Sequence, residues 1–425
     1  MAAKYIYLWA VQPFLYNIFL FIYELAIRIA SLFNDKARKW VQGRRDIVNV
    51  IKTVLPHNEK RIWIHCSSLG EFEQGRPLIE AFRQQYPGYK ILVTFFSPSG
   101  YEVRKDYELA DYVFYLPMDG FRSSSKFIRA VNPSLAVFVK YEFWYYYLKC
   151  LHKSSIPTVL IAAVFRPDQH FFKWYGGMFR RMLTFFSHLF VVDDNSRKLL
   201  SDIGIKNITV AGDTRYDRVV EIAKNAAHYP ILEQFKGEGK LLVAGSTWPD
   251  DEKILHECLS ALPDNWKMVI APHEVDKAHI DQIMELFANE AVRYSQLLPG
   301  NAISQKVLII DNIGMLASMY HYGSIAYVGG GFQKGGIHNT LEPAVFGLPV
   351  IFGPVYKKFI EANLLVEHHF AFPVMNGAEC IQVLGKLTGN SSRLSSVQFA
   401  MRVYVKKNIG ATERILQVIK SENIL

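Results

Sequence analysis

The sequence has 425 residues, half of them apolar and 14% aromatic, with a formal net charge of +9. That composition excludes a disordered chain, and the length allows two or three domains, each with its own core. The positive balance suits anionic partners in general. No Lys/Arg-rich run is interleaved with aromatics, so no nucleic-acid groove is expected.

The first element is an apolar N-terminal segment. From Tyr5 to Tyr23 there is no charge, residues 14–22 are dense in aromatics, and Lys36, Arg38, Lys39, Arg44 and Arg45 follow. Nineteen uncharged residues suffice for a tilted span. The segment lacks the basic start and small-residue cleavage site of a signal peptide, while Pro13, Glu24 and Arg28 interrupt it. The expectation is a membrane anchor, spanning once or lying in the interface, that meets an anionic membrane surface and leaves the body on the cytoplasmic side. The alternative is a hydrophobic helix buried in the fold.

Next, short apolar runs alternate with helical stretches. Buried strands are expected at 61–65, 90–95, 112–116, 135–139, 158–162, 189–192 and 208–210, and a second set at 240–245, 267–271, 307–310, 324–328 and 349–352. Near-continuous Val/Ile/Leu strands separated by helices predict parallel sheets covered on both faces. The fold class is therefore α/β, with two doubly wound Rossmann-like domains. The expected boundaries are an anchor and basic segment at 1–45, a first domain at 46–220, a linker at 221–239, and a second domain at 240–425 whose final helices can return to the first. Strand C-termini of both domains are expected to face a central cleft, where open α/β sheets bind ligands.

Five segments at strand ends carry candidate chemistry. In the segment from His65 to Glu73, Glu71 falls in the first turn of a helix just after a strand, where a carboxylate can act as general base or merely complement the helix dipole. Glu142 follows the strand 135–139 within Lys140-Tyr141-Glu142-Phe143-Trp144. Arg215, in Gly212-Asp213-Thr214-Arg215-Tyr216-Asp217, can neutralise a sugar acid or leaving phosphate. Gly245-Ser246-Thr247, before the acidic start Asp250-Asp251-Glu252, reads as a phosphate cradle or as an ordinary Ser/Thr cap. The run from Gly329 to Pro343 turns from strand to helix through glycines, exposing backbone N–H groups to an anion. Glu342, about one turn into that helix, suits the paired hydroxyls of a ribose. The four cysteines, Cys66, Cys150, Cys258 and Cys380, are far apart; they form neither a zinc spacing nor a disulfide framework and read as reduced thiols. No metal site is expected.

In this order the motifs resemble those of bacterial 3-deoxy-D-manno-octulosonic acid (Kdo) transferases of lipopolysaccharide synthesis. They are the apolar N-terminus, Ser68-Leu69-Gly70-Glu71 with Gly75-Arg76-Pro77-Leu78, Lys140-x-Glu142-x-Trp144, residues 212–217, Gly245-Ser246-Thr247, and Gly335-Gly336-x-x-Asn339-x-x-Glu342-Pro343. The resemblance implies a GT-B glycosyltransferase on the cytoplasmic face of the inner membrane. It would move Kdo from CMP-Kdo to a lipid A precursor with inversion, using no metal or other cofactor. It implies Glu71 as general base, with Glu142 and Arg215 stabilising the transition state. It also implies CMP contacts from Pro272, His273, Ile313, Gly314, Met315, Asn339, Thr340, Leu341 and Glu342. Three positions depart from the family pattern, which commonly has Arg at His273, Glu at Met315 and Lys at Arg215. The rival readings are a GT-B transferase using a UDP-sugar and a lipid acceptor, and a non-catalytic nucleotide-binding membrane scaffold. The first calls for more basic groups near Gly335-Gly336 than Lys334 alone; the second is disfavoured because Glu71 and Glu142 are intact.

Overall fold

The computed structural model describes residues 2–298, 300 and 303–425, with side chains from Gln12 onward. The chain divides into two compact units, the first formed by residues 1–217 and 410–425 and the second by 218–409. Each unit is built on one parallel sheet of seven strands.

The first sheet contains β1 (Arg61–Cys66), β2 (Lys90–Phe95), β3 (Tyr112–Tyr115), β4 (Leu135–Val139), β5 (Thr158–Ala163), β6 (His188–Val191) and β7 (Ile208–Val210). Their spatial order is β3-β2-β1-β4-β5-β6-β7. The register runs Ile62↔Ile91 on one side of β1 and Ile62↔Leu135 on the other. β1, β4 and β5 are buried along their whole length, because helical crossovers cover both faces. Side-chain alternation divides the core in two. Trp63, Phe138 and Leu160 pack on one face, and Ile62, Ile64, Val137 and Ile161 on the other.

The second sheet contains β8 (Lys240–Thr247), β9 (Trp266–Pro272), β10 (Ala291–Arg293), β11 (Val307–Ile309), β12 (Ile325–Val328), β13 (Val350–Phe352) and β14 (Ala371–Pro373). Their order is β10-β11-β9-β8-β12-β13-β14. In each sheet the chain order reverses beside the first strand, between β1 and β4 and between β8 and β12. Loops diverge at such a switch point and leave a crevice at the strand C-termini.

Residues 221–239, expected as a linker, belong to the second unit. The helix Pro230–Lys236 buries Leu232 and Phe235 against Leu241, Val243 and Val269. The last helix, Ala411–Ser421, belongs to the first unit, where Ile415, Leu416 and Ile419 join the core face of Ile62 and Val137.

The N-terminal helix, Ala2–Ala30, contains Pro13. Among the described residues, its stretch Gln12–Ala30 is the one long and apolar enough to cross a membrane, with mean hydropathy 1.4. Only 6% of that stretch is buried, with Phe14, Phe19, Phe21, Ile22 and Ile29 exposed, so it is not a core helix. The expected anchor's side chains before Gln12 lie outside the described residues. The polar residues instead face the first unit. The Gln12 amide donates to the Tyr175 carbonyl (2.6 Å) and accepts from the Met178 N–H (2.8 Å), and the Tyr16 hydroxyl donates to Asp119 (2.7 Å).

Candidate active site

In the first unit, the loops leaving β1 and β4 bring two carboxylates to the switch point. The helix Leu69–Gln85 starts at Ser68, whose extended backbone ends the strand-to-helix turn and whose hydroxyl donates to Glu71 in the first turn. Glu142 is 7% exposed and doubly bound. The Trp144 indole N–H donates to its Oε2 at 2.6 Å, and His65 Nε2 lies 3.0 Å from the same atom. His65 is in turn fixed by Thr94 Oγ1, 2.9 Å from Nδ1, and the Trp63 indole donates to that hydroxyl at 2.8 Å. Cys66 records how close the acids are. Burial pushes its thiol well above the ordinary value, and the fields of Glu71, Glu142 and Glu73 push it further.

Lys140, immediately after β4, has φ +68. A left-handed lysine costs roughly 1–2 kcal/mol relative to an ordinary backbone, and it ends β4 just before Glu142. Arg215 lies in the same unit but is already engaged by Asp213. Its Nε approaches both carboxylate oxygens (3.1 and 3.0 Å) and its Nη2 donates to Oδ2 at 2.6 Å. Burial alone would raise the Asp213 carboxyl; the Arg215 charge and hydrogen bonds, with Lys140, hold it below the usual carboxylate range. Thr214 donates to the Gln74 carbonyl at 2.5 Å, tying this segment to the helix that carries Glu71.

Glu142 also opens onto a cavity of about 510 Å³. Its walls include Phe143, Trp144, Phe171 and Phe179 from the body, and Tyr16 and Phe19 from the N-terminal helix.

In the second unit, the loops after β8, β9 and β12 converge. Ser246, next to last in β8, takes φ +54, and the register with β9 shifts there. Gly329 lets the next strand end pass against it, since a Cβ there would strike the Ser246 carbonyl and the Thr247 Cα. Of the two readings of Gly245-Ser246-Thr247, the Ser/Thr cap is not found, because Trp248 is the N-cap of the next helix. Asp251 reaches back to the Trp248 N–H (3.0 Å) and also holds the Gly330 N–H (2.9 Å) and the Tyr327 hydroxyl (2.8 Å). Glu252 takes the Thr247 hydroxyl (2.9 Å) and lies 3.0 Å from His279 Nε2. Two residues of the acidic helix start are therefore buried bolts between loops, and the sequence alone gave them no such role.

Three rings form a stack on this framework. His273 lies 4.9 Å from Trp248 and 4.4 Å from His338, both nearly parallel, and the Trp248 N–H points at His338 Nε2 (3.2 Å). Burial, then the neighbouring His273, pulls His338 down to about 4. Sequence reasoning named His273 but missed Trp248 and His338, whose partnership spans 90 residues and leaves no local pattern.

Asn339 is exposed, donates to Glu342 (3.0 Å) and accepts from the Leu341 N–H (3.1 Å), so the start of the helix Leu341–Val345 is organised by its side chain. Thr340 is 1% exposed, and its hydroxyl has no hydrogen-bond partner among the described residues. Leu341 and Pro272 are core residues, offering backbone rather than side chain. Met315 packs with Leu308, Ile310 and Met319, which leaves Ile313, 86% exposed, and left-handed Gly314 as the accessible part of that loop. Among the described residues, no group of three or more His, Cys, Asp or Glu side chains is arranged to hold a metal ion.

Comparison with known proteins shows what the chain resembles. Residues 42–218 match the family model of 3-deoxy-D-manno-octulosonic-acid transferase (kdotransferase). The 3-deoxy-D-manno-octulosonic acid transferase of Haemophilus influenzae is 27% identical over 84% of this chain and 86% of its own length. The Aquifex aeolicus enzyme of the same name is 25% identical over 79% and 88%. Among solved structures, UDP-GlcNAc 2-epimerase from Neisseria meningitidis aligns with a TM-score of 0.58 at 15% identity, covering 85% of this chain and all of that one. MurG from Acinetobacter baumannii aligns at 0.54 and 12%, covering 85% and 99%. At such identity these likenesses speak to the fold alone, which is GT-B. With its paired strand-end carboxylates on that fold, the chain is a glycosyltransferase whose relatives are 3-deoxy-D-manno-octulosonic acid transferases.

Proposed function

We propose that the protein transfers Kdo from CMP-Kdo to a hydroxyl of a lipid A precursor at a membrane surface, with inversion and without a bound metal. The observation that carries the lipid acceptor is the cavity in which Glu142 shares its walls with Tyr16 and Phe19 of the exposed apolar helix. An amphiphile held on that helix can present its head to the acids of the first unit.

Glu71 is the general base. It takes the proton from the acceptor hydroxyl as that oxygen bonds to the anomeric carbon and the bond to the CMP phosphate breaks on the opposite face. Glu142, held by His65 and Trp144, faces the positive charge that develops on the sugar ring, and Arg215 meets the anionic groups. The second unit holds the donor. Glu342 and Asn339 suit a ribose, backbone N–H groups around Gly314 suit a phosphate, and the Trp248–His273–His338 stack offers an aromatic surface in place of the arginine that the family pattern leads one to expect.

The helix Ala2–Ala30 lies in the interface in this reading. A helix whose Gln12, Tyr16 and Asn17 are hydrogen-bonded to a polar body cannot also thread hydrocarbon along the same length. The cations that follow it favour the cytoplasmic face of the inner membrane.

The test is an assay with CMP-Kdo and a lipid A precursor on the parent and Glu71→Gln. Turnover should fall about 100- to 10,000-fold, the range of general-base catalysis, while CMP-Kdo binding is unchanged. Full turnover in that variant removes Glu71 as the base.

A further inference from the structure

A second, larger groove of about 970 Å³ runs along the other flank of the N-terminal helix. It is lined by six cations and three carboxylates, and all three carboxylates are occupied. Glu24 pairs with Arg28 (2.6 Å), Asp46 accepts from the Asn49 amide (2.6 Å), and buried Asp119 holds Tyr16, Ser124 and the N–H groups of Tyr146 and Tyr147. Arg44 is structural, donating to the carbonyls of Trp40, Phe96 and Leu116. That leaves Arg45 and Lys52 on one wall and Arg122 and Lys126 on the other, all exposed and without a carboxylate partner among the described residues. Phe21 and Phe121, 70% and 66% exposed, line the same groove.

We propose that this groove binds the phosphate-bearing head of an anionic bilayer phospholipid, with the four cations around the phosphate and the two aromatic rings against the first methylenes of its chains. The inference rests on the interfacial placement of the N-terminal helix given above. Charge and apolar surface are complementary to such a lipid, and the groove lies beside the helix expected to enter the interface. None of Glu71, Glu142 or Arg215 lines it, so its occupant is not the reacting head of the acceptor. Its effect is to orient the first unit on the membrane and to make attachment depend on anionic lipid.

The experiment titrates the full chain, in neutral detergent, with dihexanoyl phosphatidylglycerol and dihexanoyl phosphatidylcholine. Saturable binding of the glycerol lipid is expected, weakened about thirtyfold by Arg45→Gln with Arg122→Gln at low salt, the effect of two charges near a lipid head. Lys406→Gln with Lys407→Gln, exposed cations of the second unit, should leave it unchanged, and Phe121→Ser should weaken it without altering thermal unfolding. Equal losses in the two charge pairs, or equal binding of both lipids, overturn the site in favour of diffuse attraction. Displacement of the lipid by inorganic phosphate at similar concentration makes it a phosphate site. Loss of turnover with a soluble acceptor in the groove pair assigns it to the acceptor, and a concentration-dependent dimer abolished by the same pair assigns it to a second copy; each overturns the proposal. Vesicle pelleting reads the helix separately. A chain that pellets but does not bind the short lipid overturns the groove alone, whereas one that binds the lipid but stays in solution overturns the interfacial helix and leaves the groove standing.

Discussion

His338 shows how a single ring can report on the order of the loops in the second unit. An imidazole near 4 is neutral at physiological pH, so its Nε2 accepts from the Trp248 indole and the stack carries no fixed positive charge from this residue. The sign of the linkage follows. The folded value lies below the ordinary imidazole value of 6.5, so the unfolded chain takes up the proton first. The stability contributed by neutral His338 is therefore present in full above pH 6.5 and lost as pH falls toward about 4. An NMR titration of His338 should give a midpoint near 4, shifted upward in His273→Leu. The thermal midpoint of His338→Gln should fall less than that of the parent over the same pH interval. A midpoint near 6.5 would mean that the ring is open to solvent and the stack is not formed.

At the scale of elements, the strand ends carry both the strain and the chemistry. Left-handed Lys140 follows β4 directly and left-handed Ser246 is the penultimate residue of β8, each beside a site loop. Alanine keeps a Cβ and glycine does not, so the pair Lys140→Ala and Lys140→Gly removes the same charge but only the second relieves the backbone. Glycine should be the more stable of the two by about 1 kcal/mol in denaturant unfolding, the reverse of the order in an unstrained strand. If alanine is the more stable, the turn is not strained. The central strands were legible in the sequence because parallel sheets buried on both faces demand unbroken apolar runs, as at Ile62-Trp63-Ile64 and Val137-Phe138-Val139. The edge strands β10 and β14 were not, since three residues such as Ala291-Val292-Arg293 carry no period. The same divide runs through the site. Glu71 and Glu142 were visible because each sits just past a strand, whereas the function of His65 depends on Glu142, 77 residues away, and the Met315 side chain is a core residue that a motif match could not identify.

For the whole molecule, the first unit is completed by the end of the chain. The helix Ser391–Asn408 belongs to the second unit and Ala411–Ser421 to the first, with left-handed Gly410 at the crossing. Asp217, the last residue of the first unit's long segment, receives the Gly410 and Thr412 N–H groups (2.5 and 2.7 Å) and the Thr412 hydroxyl (2.7 Å), and so fixes where the last helix begins. Ile415, Leu416 and Ile419 then cover the face of the sheet made by Ile62, Ile64 and Val137. Each buried side chain contributes about 2 kcal/mol, so the three together approach the whole stability of an ordinary domain. A chain ending at Ile409 should therefore lose hydrogen-exchange protection in β1–β7 while β8–β14 keep theirs. On the proposed placement of the donor, binding of CMP-Kdo should survive and transfer should be lost. Asp217→Asn should act in the same direction but more weakly, because it removes charge from the cap and leaves the apolar contacts in place. Uniform loss of protection in both sheets on truncation would mean that the two units do not fold independently.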